Sequence, residues 1–136
     1  MERSITISLP VTDLPVSKAF YTGLGFVADT LFSDDSAAFL RLNDSIRLVL
    51  LTHAKWCEFT DRPIAPRGSS EVALMISCGS RDEVDAINRW AADHGGIGDV
   101  NPIQDHGSMY GRDFTDPDGH VWGAMWIDAS SLPSCG

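Results

Sequence analysis

Few side chains in this sequence have the type and position for proton chemistry. Glu71 opens an alternating run in which Val72, Leu74 and Ile76 oppose Glu71, Ala73, Met75 and Ser77. A strand there would set its carboxyl between apolar walls. Desolvation in such a place raises a carboxylate toward the range of a general base. The plainer reading, which the sequence favours, is the exposed first residue of a strand. His53 and His106 fall at strand or loop ends, where a solvated histidine is the ordinary case. His120 belongs to the turn Asp116-Pro117-Asp118-Gly119-His120 and is read as stabilising it. Arg112 has the fork that holds a carboxylate or phosphate, but an ion pair with Asp113 or Asp116 is the stronger expectation. Cys57 has only Lys55 and His53 as basic neighbours in sequence, too little to argue for an activated thiol.

These residues must be positioned by short elements. Ile5, Ile7, Leu9 and Val11 alternate with Thr6, Ser8 and Pro10, the pattern of a half-buried strand. Asp13 is a good N-cap, Pro15 is tolerated in a first helical turn, and Val16, Phe20 and Leu24 make an apolar stripe. Gly23 and Gly25 end that helix. Residues 26–32, 37–42 and 46–52 read as three strands separated by turn-rich segments. Residues 53–70 carry Trp56, Phe59, Pro63, Pro66 and Gly68 without periodicity and read as a linking loop.

From Glu71 the order repeats. Residues 71–77 read as a strand, Ser80-Arg81-Asp82-Glu83 is a capping box, and Val84, Ile87 and Ala91 with Trp90 make a second helical stripe. Strands are expected over 97–103, 108–115 and 120–127. Pro117 presets the turn between the last two, Asp116 bonds its backbone, and Gly119 closes it. Phe114, Trp122 and Trp126 alternate opposite Gly123 and are expected as core under a helix. The expectation is an α+β fold of two βαβββ modules, residues 4–53 and 71–128, forming curved mixed sheets around a cleft within one domain. Residues 129–136 are expected to be frayed.

The chain has 136 residues, 43% of them hydrophobic, and a formal net charge of -9. That charge repels phosphate backbones and anionic lipid surfaces, so neither nucleic acid nor a membrane is an expected partner. Three cysteines without CxxC spacing argue against a disulfide framework or a structural zinc site. With no apolar signal-peptide core near Met1, the expected location is the cytoplasm.

Leu9-Pro10-Val11-Thr12-Asp13-Leu14, Ala19-Phe20-Tyr21, Leu24-Gly25-Phe26 and the closing Asp116-Pro117-Asp118-Gly119-His120 with Trp122 resemble the vicinal oxygen chelate superfamily. This group includes glyoxalase I, bleomycin-resistance proteins and extradiol dioxygenases. Thr60-Asp61-Arg62-Pro63-Ile64 and Met109-Tyr110-Gly111-Arg112-Asp113-Phe114 are similar to its predicted lactoylglutathione lyase subgroup. The resemblance implies a homodimer and a cleft whose rim includes Trp56, Phe59, Met109 and Tyr110. It also implies four cleft-facing metal positions, which fall at Thr6, near Leu50, at Glu71 and at Gly123. Leucine and glycine offer no donor and threonine a poor one, so the usual metal is not expected, and with His53 these positions are read as ligand contacts instead.

Two functions compete. The first is a small-molecule binder of the bleomycin-resistance kind, without a metal cofactor. The second is a lyase or isomerase on a small oxygenated substrate. It would use Glu71 as base, or a divalent metal held by His53, Glu71 and His106. A partner-interaction domain without a ligand is the third and least supported.

Overall fold

The computed structural model describes residues 2–131; the segment beyond, with Cys135, lies outside the described residues. The chain divides into two compact units, Met1–Pro66 and Arg67–Gly136. Each repeats one plan.

The first unit runs β1 (Ile5–Val11), α1 (Leu14–Gly23), β2 (Val27–Asp29), β3 (Ala37–Arg41), β4 (Ile46–Thr52) and α2 (His53–Phe59). Its sheet order is β1-β4-β3-β2, with β1 and β4 parallel and the remaining pairs antiparallel. The second unit runs β5 (Leu74–Ser77), α3 (Arg81–Asp93), β6 (Gln104–Asp105), β7 (Met109–Thr115) and β8 (Val121–Ile127), ending in a 3-10 turn at Ala129–Ser131. Its order, β5-β8-β7-β6, repeats the first with the same parallel and antiparallel pairs. The expected α+β class and the two βαβββ modules are therefore present. Among the described residues no helix is long and apolar enough to cross a membrane.

Capping explains where the helices start. Asp13 Oδ1 accepts from the Val16 amide at 3.2 Å, and Ser80 Oγ accepts from the Glu83 amide at 3.1 Å. The Glu83 carboxylate reaches back to the Gly79 amide at 2.7 Å, one residue earlier than a capping box would place it. The buried face of α1 is Leu14, Ser17, Phe20 and Tyr21, whereas Val16 is 45% exposed. Of the expected stripe, Phe20 and Leu24 are buried and Val16 is not; Leu14 starts the buried face in its place. On α3 the buried residues are Val84, Asn88 and Ala91, and Ile87 and Trp90 are half-buried beside them.

Four expected elements differ. The strand expected over 26–32 is only Val27–Asp29. Residues 53–59 are the helix α2, capped by Thr52 Oγ1, which accepts from the Lys55 amide at 3.2 Å. The strand expected over 97–103 is reduced to one bridge, Gly98 to Phe114, because Asp99 turns to positive φ (50°) and breaks the extended run. The strand expected from Glu71 begins only at Leu74.

Candidate functional site

In each unit the helix covers one face of the sheet, and strand register decides which residues lie on the other. In the first unit Leu9, Ala38, Leu40, Leu48 and Leu50 form the helix side, all buried with Phe20 and Tyr21 of α1. Thr6 pairs with Arg47 across the parallel β1–β4 ladder, and Leu9 pairs with Leu50. Thr6 and Leu9 are three residues apart and so point to opposite faces. Leu50 therefore belongs to the core under α1, with no exposed area, and does not share a face with Thr6. The β4 residues on the Thr6 side are Arg47, Val49 and Leu51.

That side is covered at one end by its own helix α2. Trp56 packs on Ala37, Val49 and Leu51, all three buried. The indole Nε1 is shielded from solvent and has no hydrogen-bond partner. Phe59 points elsewhere: it is 71% exposed, with Lys55 Nζ 5.6 Å from its ring centre. His53 is exposed at the start of α2.

In the second unit the helix side carries Ile76, Phe114, Trp122 and Ala124 as its buried apolar core, as expected for Phe114 and Trp122. It also carries a polar network. Arg112 donates from Nε and Nη2 to Asp99, at 2.9 and 2.6 Å, and from Nη1 to Asp85 at 2.9 Å. Tyr110 Oη donates to the same Asp85 oxygen at 2.5 Å. Hydrogen bonds from Tyr110 and then Arg112 lower the Asp85 carboxyl below its ordinary value. The Arg112 hydrogen bond does the same for Asp99. The expected Arg112 ion pair is real, but its partners are Asp85 and Asp99, not Asp113 or Asp116. Asp85 lies on α3 and Asp99 in the broken strand, so neither is a sequence neighbour.

Arg81 ties the first turn of α3 to β6. It forms a two-pronged pair with Asp105 at 3.0 and 2.9 Å and donates to the Gly107 carbonyl at 2.9 Å. Its guanidinium lies over Tyr110 and Trp126, 4.8 and 5.4 Å from the ring centres. This hydrogen bonding holds the Asp105 carboxyl down at about 2. Tyr110 is thus committed to a structural network under α3. It does not share a face with Met109, its neighbour in β7.

The face turned away from α3 holds Met75, Met109, Gly111, Asp113, Val121, Gly123, Met125 and Ile127. Met75 is 57% exposed and Ile127 43%. The Asp113 carboxylate lies across Gly123: a Cβ built on that glycine would meet Asp113 Oδ1 at 2.7 Å and the Met75 methyl at 3.6 Å. Asn101 Nδ2 donates to Asp113 Oδ2 at 2.9 Å. Sequence reasoning assigned Asp113 only as a neighbour for Arg112. The available signal was its alternation with Gly111 and Met109, in step with Gly123 across the hairpin.

Glu71 lies in the bend before β5 and is exposed, so the burial that would make it a base is absent. His106 is exposed in the β6–β7 turn, Nε2 3.4 Å from Gln104 Oε1. His120 follows the turn after β7, where Asp116 Oδ1 accepts from the amides of Asp118 and His120 at 2.9 and 2.8 Å. Asp116 is 1% exposed and Gly119 has φ 92°, as the turn reading requires.

The donor set does not fit the metal that the superfamily resemblance implies. Thr6 and Leu50 face opposite ways, Glu71 stands off its strand, and Gly123 has no side chain. Within either unit, among the described residues, no three His, Cys, Asp or Glu side chains are grouped to hold an ion.

The family model of the Glyoxalase/Bleomycin resistance protein/Dioxygenase superfamily matches residues 4–123. Solved structures agree in fold. A hypothetical protein from S. aureus superposes with TM-score 0.78 at 23% identity, over 93% of this chain and 95% of the other. A glyoxalase-related enzyme from Fulvimarina pelagi gives 0.76 at 22% identity, over 93% and 88%. A family enzyme from Burkholderia phytofirmans PsJN gives 0.72 at 15% identity, over 90% and 96%. At such identities the likeness is one of fold. A search of curated proteins finds no match.

Proposed function

Because the chain belongs to the Glyoxalase/Bleomycin resistance protein/Dioxygenase superfamily, we propose that it binds a small organic molecule on the α3-distal face of its second sheet, without the superfamily's usual metal. The observation that carries this is the composition of that face. Three flexible thioethers and two glycines leave an apolar, adaptable surface with one carboxylate set into it. Met75 and Ile127 are exposed on it, with Met109, Val121 and Met125 half-buried beside them.

The lyase or isomerase reading, including its lactoylglutathione lyase-like form, lacks support from these residues. Glu71 is exposed in a loop, and the four inherited positions offer no ligand set. The chain is accordingly read as a binder of the bleomycin-resistance kind, working as a homodimer.

The test uses the full chain labelled with methyl-13C methionine. Of its four methionines, three lie on this face, and Met1 lies outside the described residues and serves as the reference signal. A set of small neutral, cationic and anionic aromatic fragments at millimolar concentration is expected to move the methyl signals of Met75, Met109 and Met125 and leave Met1 in place. A set in which no fragment shifts these three signals would refute the proposal.

A further inference from the structure

We infer that Asp113 is the recognition group for an organic cation, an amine or quaternary ammonium with an apolar body. The inference rests on the proposed binding face and names the class of ligand for it. Three carboxylates of this unit have arginine partners. Asp85 and Asp99 hold Arg112, and Asp105 holds Arg81. Both arginines lie on the α3 side. Asp113, on the opposite face, makes no ion pair among the described residues; its one side-chain partner is the neutral amide of Asn101.

A half-buried carboxylate on an apolar surface is costly unless an opposite charge reaches it. Here the sequence keeps one and clears the floor beneath it. Any side chain at position 123 would collide with Asp113 Oδ1, so Gly123 is what lets the carboxylate lie down on the sheet. Gly111 keeps the adjacent position of β7 equally bare. Met75 and Met125 border this berth, and Met109 extends the same face along β7, with polarisable, unbranched side chains that adjust to the shape of an apolar body. Among the described residues Oδ1 has no donor, whereas Oδ2 accepts from Asn101, so one oxygen is oriented by the protein and the other is left for the ligand. The formal charge of -9 adds a long-range attraction for cations.

The same methionine-labelled chain tests this with three probes of similar size: benzyltrimethylammonium, benzyl alcohol and benzenesulfonate. The cation is expected to shift Met75, Met109 and Met125 with an apparent Kd about tenfold below that of benzyl alcohol, as one partly solvated charge contact allows. Asp113→Asn should bring the two within about twofold. Gly123→Ala, which keeps the charge but evicts the carboxylate from its berth, should do the same. Glu71→Gln removes an exposed acid off the strand and should leave the preference intact. Overall methyl dispersion reports whether each variant is folded. Equal affinity for the cation and the alcohol, preference retained in Asp113→Asn, or no response to the cation at all would overturn the inference. If the alcohol or the sulfonate moves the three methionines without any preference for the cation, the binding face stands and the assignment of Asp113 falls.

Discussion

Replacing Arg112 by methionine keeps an unbranched stem of similar reach and removes three charge-assisted hydrogen bonds at once. Breaking a fully buried ion pair costs about 3–5 kcal/mol, and an exposed one about 0.2–1 kcal/mol. The Arg112 side chain is 20% exposed and its two aspartates 37%, so the site falls between the limits. A loss of about 2 kcal/mol follows, or a Tm lower by roughly 6–10 °C for a chain of this size. The pH dependence has a definite sign. Asp85 and Asp99 are depressed below 3.8 in the folded chain. Their contribution is complete above the unfolded value and is lost as pH falls through the lower folded value. In Arg112→Met the Arg112 share of that depression is gone, so the gap between wild type and variant should be full at neutral pH and close as the pH drops below about 4. The Asp99 share should close most, because Arg112 is the main cause of its shift, whereas Tyr110 leads at Asp85. Differential scanning calorimetry across that range reads both the size and the closing. A neutral-pH gap below about 2 °C, or a gap that stays constant into acid, would refute the reasoning.

Two further outcomes follow from backbone packing and from burial. Gly96 sits where the chain leaving α3 meets β7, and a Cβ there would enter the van der Waals shell of the Thr115 carbonyl oxygen and crowd that of Ala91. Gly96→Ala should therefore cost at least about 2 kcal/mol, read as a lower denaturant midpoint, and a neutral substitution would show that this junction yields. The Cys78 thiol is pushed up to about 11, first by burial and then by Glu83, while Cys57 is exposed on α2. At about pH 8 roughly one Cys78 in a thousand is thiolate, so iodoacetamide followed by peptide mass spectrometry should find Cys57 alkylated at least about tenfold faster. Equal rates would contradict the burial of Cys78.

The repeat was legible because its punctuation is chemical. Asp13, Ser80 and the Asp116–Gly119 turn are residues whose side chains bond their own backbone, and all three do so in the structure. The helix α2 was not legible because it has no buried residue and hence no stripe: its main anchors are the Thr52 cap and the half-buried Trp56. The strand expected near residue 100 failed for a local reason. Asp99 accepts an αL backbone, and its carboxylate is drawn to Arg112 instead of continuing the alternation.

Site residues were harder to assign than elements because a face is a matter of parity. An offset of one residue leaves a strand where it is and reverses every side chain on it. Leu50 is the case in the first unit: one position either way, Val49 and Leu51 do share the face of Thr6, and neither offers a donor. In the second unit the parity signal itself is weak. The helix side of β7 carries Tyr110 and Arg112, polar residues used in a network with Asp85 and Asp99, while the other side carries Met109 and Gly111. Polarity along β7 therefore runs against the usual alternation of core and solvent. An acid following Arg112 in sequence reads as its partner, when the pleat sends the two to opposite faces. Asp113 becomes visible only once the β7–β8 register pairs it with Gly123. The same pairing frees it from arginine and leaves its charge to be answered from outside the unit.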